Sequence, residues 1–256
     1  KLASMSLVDF ADETASESPA PGGGSISAYA GAMGAALATM VANLSSHKRG
    51  WDDRWEEFSK WAEKGQELKD ELLRLVDRDT DAFNLIMTAF RLPKGTEAEK
   101  KARLDAIESA TKTAIDIPFR VMEVSYEVLP LCKAMAETGN PNSVSDAAVG
   151  ALCARAAIRG AFLNVSINAS GVQDKAWIDQ KMTTGQTLSY FDSVNLEREQ
   201  RQGTNPLTEE EVKTEKLQVD LVRFSVQGSM MWSARALRTK TLKLRKFMVR
   251  STVLNA

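Results

Sequence analysis

Apolar residues recur at steps of three and four along much of the chain, which is the spacing of one face of an α-helix. The clearest run lies within residues 51–90, where Leu68, Leu72, Val76 and Phe83 follow an earlier cluster of aromatic residues. Charged residues cover the opposite face of this run. The pattern predicts one long amphipathic helix, or two helices in series.

Turns rich in glycine, proline and asparagine separate this run from other helical segments. Thr96 followed by acidic residues is typical of a helix N-cap, and Pro118 is expected to kink or break the helix in which it falls. No segment alternates with the period of two that marks a β-strand. We therefore predict an all-α fold, a helical bundle with long antiparallel helices. The other predicted helices cover residues 7–15, 27–46, 97–117, 118 to about 139, and 147–168.

The composition is that of a globular protein, with 43% hydrophobic and 26% charged residues in a chain of 256. Thirty-three basic and 34 acidic side chains leave a net charge of -1, which argues against nucleic acid or an anionic membrane as a partner. Cys132, Cys153 and the single histidine, His47, are too few for a disulfide framework and fit no metal-finger spacing. We expect no metal and a reducing, cytoplasmic location.

Residues 27–46 are long and uncharged enough to be tested as a membrane span. They consist mainly of Ala, Gly, Ser, Met and Thr, with few Leu or Ile. Small residues recur there at helical spacing, which lets two helix backbones approach closely. The segment therefore predicts a tightly packed buried helix, and we expect no membrane association.

A glycine-rich loop precedes that helix and ends in Gly22, Gly23, Gly24 and Ser25. The bare N–H groups of such a loop, beside a helix N-terminus, form a ready site for an anion or a polar ligand. The alternative is a flexible cap before a core helix. The loop is not a nucleotide-binding motif, because the lysine of a phosphate-binding loop and a preceding strand are both missing.

Asp79 interrupts the apolar stripe of the predicted 51–90 helix. A carboxylate on a buried face must be paired or have its pKa raised, and a raised pKa suits general acid–base chemistry near neutral pH. Asp77 and Asp81 flank it on a different face. The alternative is that all three acids lie on a solvated edge. Asp79 is the first candidate for a catalytic acid or base.

Polar groups also interrupt the small, apolar face of the predicted 147–168 helix. Asp146 comes just before it, and Asn164 and Asn168 follow on the same face. Buried amides need hydrogen-bond partners, from neighbouring helices or from a polar ligand. Asp146 has the simpler alternative of complementing the helix dipole. Lys48 and Arg49 follow the end of the 27–46 helix. They either complement the dipole of that helix or bind a substrate carboxylate.

Several of these residues belong to a series of segments that resembles the formimidoyltetrahydrofolate cyclodeaminase family. The segments occur in order and at the family's spacing, from about residue 16 to residue 180. They include the glycine loop, Leu75-Val76-Asp77-Arg78-Asp79, Arg91-Leu92-Pro93-Lys94, Ile117-Pro118, Gly139-Asn140, Ser145-Asp146, Gly160-Ala161 and Asn164-Val165 with Ile167-Asn168.

The resemblance implies an all-helical enzyme that acts on a tetrahydrofolate derivative without a metal or redox cofactor. Its reaction closes 5-formimino-tetrahydrofolate to 5,10-methenyl-tetrahydrofolate with release of ammonia, a step of histidine degradation. It also implies a homodimer or larger homo-oligomer, and in many relatives a formiminotransferase half upstream in the same chain. For proton transfer the first candidate is Asp79, by its burial pattern, the second is Asp77, by its position in the family, and the third is Asp146. For substrate binding the resemblance suggests Gly22, Gly23, Gly24, Ser25, Asn140, Ser145, Asn164 and Asn168, with Lys48 and Arg49 as further candidates.

The resemblance fades after about residue 180, and the sequence from Leu221 onward is basic without any Asp or Glu. We predict a cyclodeaminase-like domain over residues 5–195 and a divergent basic extension over residues 196–256, helical or partly disordered. Such an extension is either an arm that contacts anionic groups or a tail without an evolved role.

Two other functions remain open at this point. One is a methenyltetrahydrofolate cyclohydrolase, in which water takes part in place of ammonia. The other is a non-catalytic helical assembly module with a basic binding tail.

Overall fold

Six α-helices and no β-strand occur within residues 1–201, the part of the chain that this computed structural model describes. The all-α prediction is therefore confirmed. Short 3₁₀ turns at residues 2–4, 52–54 and 141–143 join or precede the helices. The helices are α1 (Leu7–Ala15), α2 (Gly23–Ser46), α3 (Trp55–Phe90), α4 (Glu97–Thr138), α5 (Val144–Ala169) and α6 (Lys175–Arg201).

Helix α2 lies at the centre of the bundle and packs against α3, α4 and α5. Its glycines allow very close contacts: a Cβ atom added at Gly34 would lie 2.7 Å from the carbonyl oxygen of Gly150 on α5. The contacts run in opposite directions along the two helices, since Gly34 meets Gly150 whereas Gly23 meets Asn164. Helices α2 and α5 are therefore antiparallel, and the predicted small-residue packing is confirmed.

Helix α3 is also antiparallel to α2, and its apolar stripe faces the centre of the bundle. Leu68, Leu72 and Val76 are buried, as the spacing predicts. Phe83, by contrast, is 37% exposed. Because α2 begins beside residue 79, the later turns of α3 extend past its end. The apolar periodicity of α3 continues in these later turns, although α2 no longer lies beside them.

Helix α4 runs through Pro118 as one helix, so of the kink or break expected at this residue the break is wrong. A proline inside a helix removes one N–H donor and leaves the carbonyl four residues earlier without its partner. Here that carbonyl belongs to Ala114, and the side-chain amide of Asn168 on α5 donates to it at 3.2 Å. Asn168 thereby satisfies an acceptor that the helix itself does not.

Two helical stretches are long and apolar enough to cross a membrane by length and composition: residues 23–46 and 141–169. In the first, 61% of the most apolar stretch is buried inside the protein, as expected of a core helix. In the second only 33% is buried, so much of its apolar surface faces outward. The expectation of no membrane association stays a prediction.

The predicted domain boundary near residue 195 falls inside α6. Beyond residue 201 the predicted basic extension lies outside the described residues. The division into a domain and an extension stays a prediction.

We predict that Asn168→Ala lowers the free energy of unfolding by about 1 kcal/mol, because a partly buried acceptor loses its donor. In a Pro118→Ala background the restored N–H of residue 118 can bond to the Ala114 carbonyl. Asn168→Ala should then lower the free energy of unfolding by less than half as much. Urea denaturation of the four chains measures this coupling. Equal costs in the two backgrounds would contradict the proposed role of Asn168.

Candidate functional site

The first turn of α2 and the later half of α3 meet at the half-buried carboxyl group of Asp79. The hydroxyl of Ser25, which is fully buried, donates to Oδ2 of Asp79 at 2.8 Å. The residue at the N-cap of α2 is Gly22, which has no side chain to cap the helix. Asp79 also accepts from the backbone N–H of Ser25, so it supplies from α3 the acceptor that an N-cap side chain usually provides.

Gly24 is required by this arrangement. A Cβ atom added there would collide with the carboxylate of Asp79. The glycine loop is thus more than a flexible lead into α2, because one of its glycines lets the carboxyl group approach the helix end. The N–H groups of Gly23 and Gly24 lie in the first turn, where an α-helix offers no carbonyl partner of its own.

Burial raises the pKa of the Asp79 carboxyl above its usual range, since removal from water disfavours the charged form. Hydrogen bonds from the hydroxyl and the backbone amide of Ser25 oppose this effect and favour the carboxylate. The net direction is upward. A carboxyl group of this kind can accept and return a proton closer to neutral pH than an exposed aspartate.

Asn164 approaches the same place from α5. A Cβ atom at Gly23 would lie 3.2 Å from its side-chain nitrogen, and that nitrogen donates to the carbonyl of Gly160 at 2.8 Å. Six of the predicted site residues therefore come together at one end of α2. We call them the Asp79 cluster: Gly22, Gly23, Gly24, Ser25, Asp79 and Asn164.

Two of the predicted residues near this end have other partners. The Asp77 carboxylate accepts from the backbone N–H of Ala3 at 3.3 Å, so it contacts the N-terminal segment. The side-chain nitrogen of Asn168 is bound to the carbonyl of Ala114. Of the three predicted acids, only Asp79 lies at the glycine loop.

The remaining predicted residues lie toward the other end of α2. Ser145 and Asp146 belong to the first turn of α5, and the backbone N–H of Asn140 donates to Oγ of Ser45 at 2.8 Å. The ammonium group of Lys48 lies 3.9 Å from the centre of the Trp51 ring. We call this second group the Asp146 cluster: Lys48, Arg49, Asn140, Ser145 and Asp146.

The two clusters are well separated within one chain. Since Gly34 meets Gly150, Asp146 lies level with about residue 38 of α2. Asp79 lies level with Gly24. At a rise of 1.5 Å per residue the separation along α2 is about 21 Å.

Sequence analysis missed Thr80, which directly follows Asp79. Its hydroxyl oxygen is buried and has no hydrogen-bond partner among the described residues. Nothing in the helical spacing distinguishes this threonine from a surface one. Within the described residues no group of three or more His, Cys, Asp or Glu side chains is placed to hold a metal ion.

Known proteins share most of residues 1–201. A family model described as Formiminotransferase-cyclodeaminase matches residues 6–186. A methenyltetrahydrofolate cyclohydrolase from Methylorubrum extorquens is 42% identical over 173 residues, which cover 68% of this chain and 83% of that protein. A formimidoyltransferase-cyclodeaminase from Gallus gallus is 34% identical over 174 residues, 68% of this chain but only 32% of the relative.

The fold has a solved counterpart. A formiminotetrahydrofolate cyclodeaminase from Thermotoga maritima superposes with a TM-score of 0.65 at 28% sequence identity, covering 75% of this chain and 93% of that one. The matched residues include both clusters and the whole of α2 to α5. On these grounds the chain belongs to the formiminotransferase-cyclodeaminase family, whose characterised relatives process folates.

Proposed function

We propose that this protein is a formimidoyltetrahydrofolate cyclodeaminase, which converts 5-formimino-tetrahydrofolate to 5,10-methenyl-tetrahydrofolate and ammonia. The observation that carries the proposal is the half-buried Asp79 carboxyl with its raised pKa, held by Ser25 at the glycine loop. Family membership supplies the folate substrate class. The relative in Thermotoga maritima bears the name of this activity.

The reaction requires one bond to form, one bond to break and one proton to move. N10 of the folate attacks the carbon of the protonated formimino group on N5, the C–N10 bond forms, and the C=N bond to the amino group becomes single. The carboxylate of Asp79 accepts the proton that N10 loses and returns it to the departing amino group as the C–N bond breaks. Ammonia leaves, and the carboxylate is regenerated. A carboxyl group with a raised pKa suits both halves of this transfer.

The rest of the Asp79 cluster orients the substrate in this proposal. The N–H groups of Gly23 and Gly24 can donate to an electron-rich oxygen or nitrogen of the ligand, because the helix leaves them unpaired. The amide oxygen of Asn164 can accept from the amino edge of the pterin ring. Positioning N10 against the formimino carbon accounts for much of the rate acceleration expected of such a site.

A second candidate is methenyltetrahydrofolate cyclohydrolase activity. It is favoured by the 42% identity to the Methylorubrum extorquens protein of that name, of which 83% is covered. The same carboxyl group would then accept a proton from the water that adds to the methenyl carbon. Ammonia release measured beside methenyl-tetrahydrofolate absorbance separates the two reactions.

We also propose that the protein acts as a homo-oligomer. Helix α2 contains no charged residue. It nevertheless presents apolar side chains outward, and α5 does the same beside it, since Leu37 lies against Gly150. This surface, the α2/α5 apolar face, comprises Ile26, Met33, Leu37, Met40 and Leu44 with Val149, Leu152, Ala156, Leu163 and Ile167, and the exposed Arg159 lies among its α5 members. Leu152 and Ile167 are 61% and 71% exposed, which favours coverage by another copy.

A formiminotransferase domain is the other partner in this proposal. The chain spans about a third of the length of the bifunctional relatives, such as the one from Gallus gallus. The name of those relatives links the two activities. The transferase would supply the formimino-folate, on the same chain or on another.

We predict that Asp79→Asn lowers cyclodeaminase turnover about 100-fold or more, because an amide cannot transfer the proton. The amide oxygen can still accept from Ser25, so the end of α2 should remain capped. Asp81→Asn is the matched control, since Asp81 is exposed two residues away and should keep near-normal turnover. Turnover by Asp79→Asn close to that of the parent chain would refute this role.

We also predict a pH-dependent difference in stability between the parent chain and Asp79→Asn. The folded-state pKa of Asp79 is raised above its unfolded value, so its contribution is fully present below the unfolded pKa and is lost as the pH rises through the folded pKa. The melting temperature of the parent should therefore fall relative to that of the variant as the pH rises from strongly acidic to neutral. A difference in melting temperature that does not change with pH would show that the fold does not disfavour the charged form of Asp79.

We predict that Leu152→Glu converts the oligomer to monomers, because each contact across a two-fold axis would bury uncompensated charge. Leu104→Glu is the matched control: Leu104 is 53% exposed on α4, outside the α2/α5 apolar face. Sedimentation velocity at micromolar concentration measures the mass of each chain. A monomeric parent protein would refute the oligomer.

A further inference from the structure

Helix α3 carries exposed apolar side chains directly beyond the Asp79 cluster. Phe83, Ile86 and Phe90 follow the carboxyl group by four, seven and eleven residues, so they lie on the same face of the helix. We call these three residues the α3 terminal stripe. Leu72, earlier on this face, is fully buried, whereas Phe83 and Phe90 are 37% and 51% exposed. The stripe is uncovered because α2 begins beside Asp79 and does not reach these turns.

Helix α4 lies beside the α3 terminal stripe and also continues past α2. Gly31 of α2 meets Ser125 of α4, so the first turn of α2 lies level with about residue 117 of α4. Residues 97–116 therefore extend beyond the end of α2, as the later turns of α3 do. The two helices form an open surface that begins at the Asp79 cluster.

Arg103 of α4 is held at the far end of the stripe. Its Nε and Nη2 groups donate to the carbonyl of Phe90 at 3.4 and 3.2 Å, and its guanidinium carbon lies 5.7 Å from the centre of the Phe90 ring. This carbonyl belongs to the last residue of α3, where the helix itself provides no donor. Nη1 of Arg103 has no hydrogen-bond partner among the described residues, so the cation keeps donors for a ligand.

Two further cations lie in the connection between α3 and α4. Arg91 and Lys94 are exposed, and neither forms an ion pair within the part of the chain that the structure describes. Residues 91–96 contain no acid. At the start of α4, Glu97 pairs with Lys100 at 2.6 Å, and Glu99 accepts from backbone N–H groups of the connection. The unpaired charge of the connection is therefore positive, which suits a carboxylate ligand.

The order of these features matches the part of a folate that follows N10. Beyond N10 a folate carries a p-aminobenzoyl ring and then a glutamate with two carboxylates. Beyond Asp79 this surface offers apolar side chains and then cations. Asp79 and Phe90 lie about 16 Å apart along α3, a span that an extended aminobenzoyl-glutamate bridges once the length of an arginine side chain is included. Lys48 and Arg49, the cations predicted to bind this carboxylate, lie toward the other end of α2.

We propose that the α3 terminal stripe binds the p-aminobenzoyl ring of the substrate and that Arg103, with Arg91 and Lys94 beside it, binds the glutamate carboxylates. This inference rests on the proposed folate function and identifies the subsite for the tail of the same substrate. The pterin ring then lies toward Asn164, N10 lies at Asp79, and the tail follows α3. Burial of the ring and charge-assisted hydrogen bonds to the carboxylates both contribute to affinity.

Two probes that differ only in the glutamate test the proposal. One is 5-formyl-tetrahydrofolate, and in the other a plain amide group replaces the glutamate. Arg103→Gln should weaken binding of the first probe about 10-fold or more and leave binding of the second nearly unchanged, because only the first has carboxylates to pair. Lys101→Gln is the matched control, since it removes an exposed charge from the same helix. Isothermal titration calorimetry measures each affinity, and equal effects on the two probes overturn the proposal.

The ring-binding part is tested with the same probes. Phe83→Ala should weaken binding of both about 5-fold or more, because both carry the aminobenzoyl ring. Leu85→Ala is the matched control, since Leu85 is 51% exposed on another face of α3. Sedimentation velocity gives the mass of each variant. A Phe83→Ala chain with altered mass and unchanged affinity would identify the stripe as a contact between copies and overturn the proposal.

Turnover of the parent chain with 5-formimino-tetrahydrofolate and with methenyl-tetrahydrofolate separates this inference from the proposed function. An active parent whose affinity does not depend on the glutamate keeps the function and loses the tail subsite. An inactive parent that binds 5-formyl-tetrahydrofolate through Arg103 keeps the subsite and loses the function. A parent that binds neither probe refutes both.

Discussion

The contact between the Asp79 carboxyl and the first turn of α2 is the constraint on which the site depends. It requires a residue without a side chain at position 24, a hydroxyl at position 25 and an acid on the apolar stripe of α3. The acid completes a helix end that Gly22 leaves uncapped, and the same burial raises its pKa. A single carboxyl group therefore meets a structural requirement and, in the proposed function, a chemical one. The hydrogen bond to the helix end accounts for a half-buried acid where the helical spacing calls for an apolar side chain.

Close packing by small residues makes that contact possible. Helix α2 can lie between α3 and α5 because glycine, alanine and serine dominate the surfaces that meet. At Gly31 an added Cβ would lie 2.5 Å from the Ser125 hydroxyl oxygen of α4, and at Gly160 it would lie 2.5 Å from the hydroxyl of Ser27. A larger side chain at such positions would separate the helices. The N-terminus of α2 would then move away from Asp79, so core packing and site geometry are linked.

Sequence spacing pointed to this candidate site through two independent signals. Asp79 interrupts an apolar stripe, and the glycine loop precedes a helix, and the fold brings the two together. The other predicted residues had weaker signals. Asp77 and Asn168 are of the right chemical type, but polar residues also bond to backbone groups, and only the packed structure reveals that Ala3 and Ala114 are their partners. Asp146 and Lys48 lie at another level of the bundle, which no linear pattern specifies.

The sequence by itself determined the helical class, most helix positions, the place of Asp79 on the apolar stripe of α3 and the resemblance to a family of folate enzymes. These follow from local periodicity, local turn chemistry and residue identity, which depend on near neighbours in the chain. The tertiary structure alone decided that α4 continues through Pro118, because the donor that compensates for the proline comes from another helix. It also decided that the predicted residues form two separate clusters, because the antiparallel pairing of α2 with α5 places Asn164, and not Asp146, beside the glycine loop.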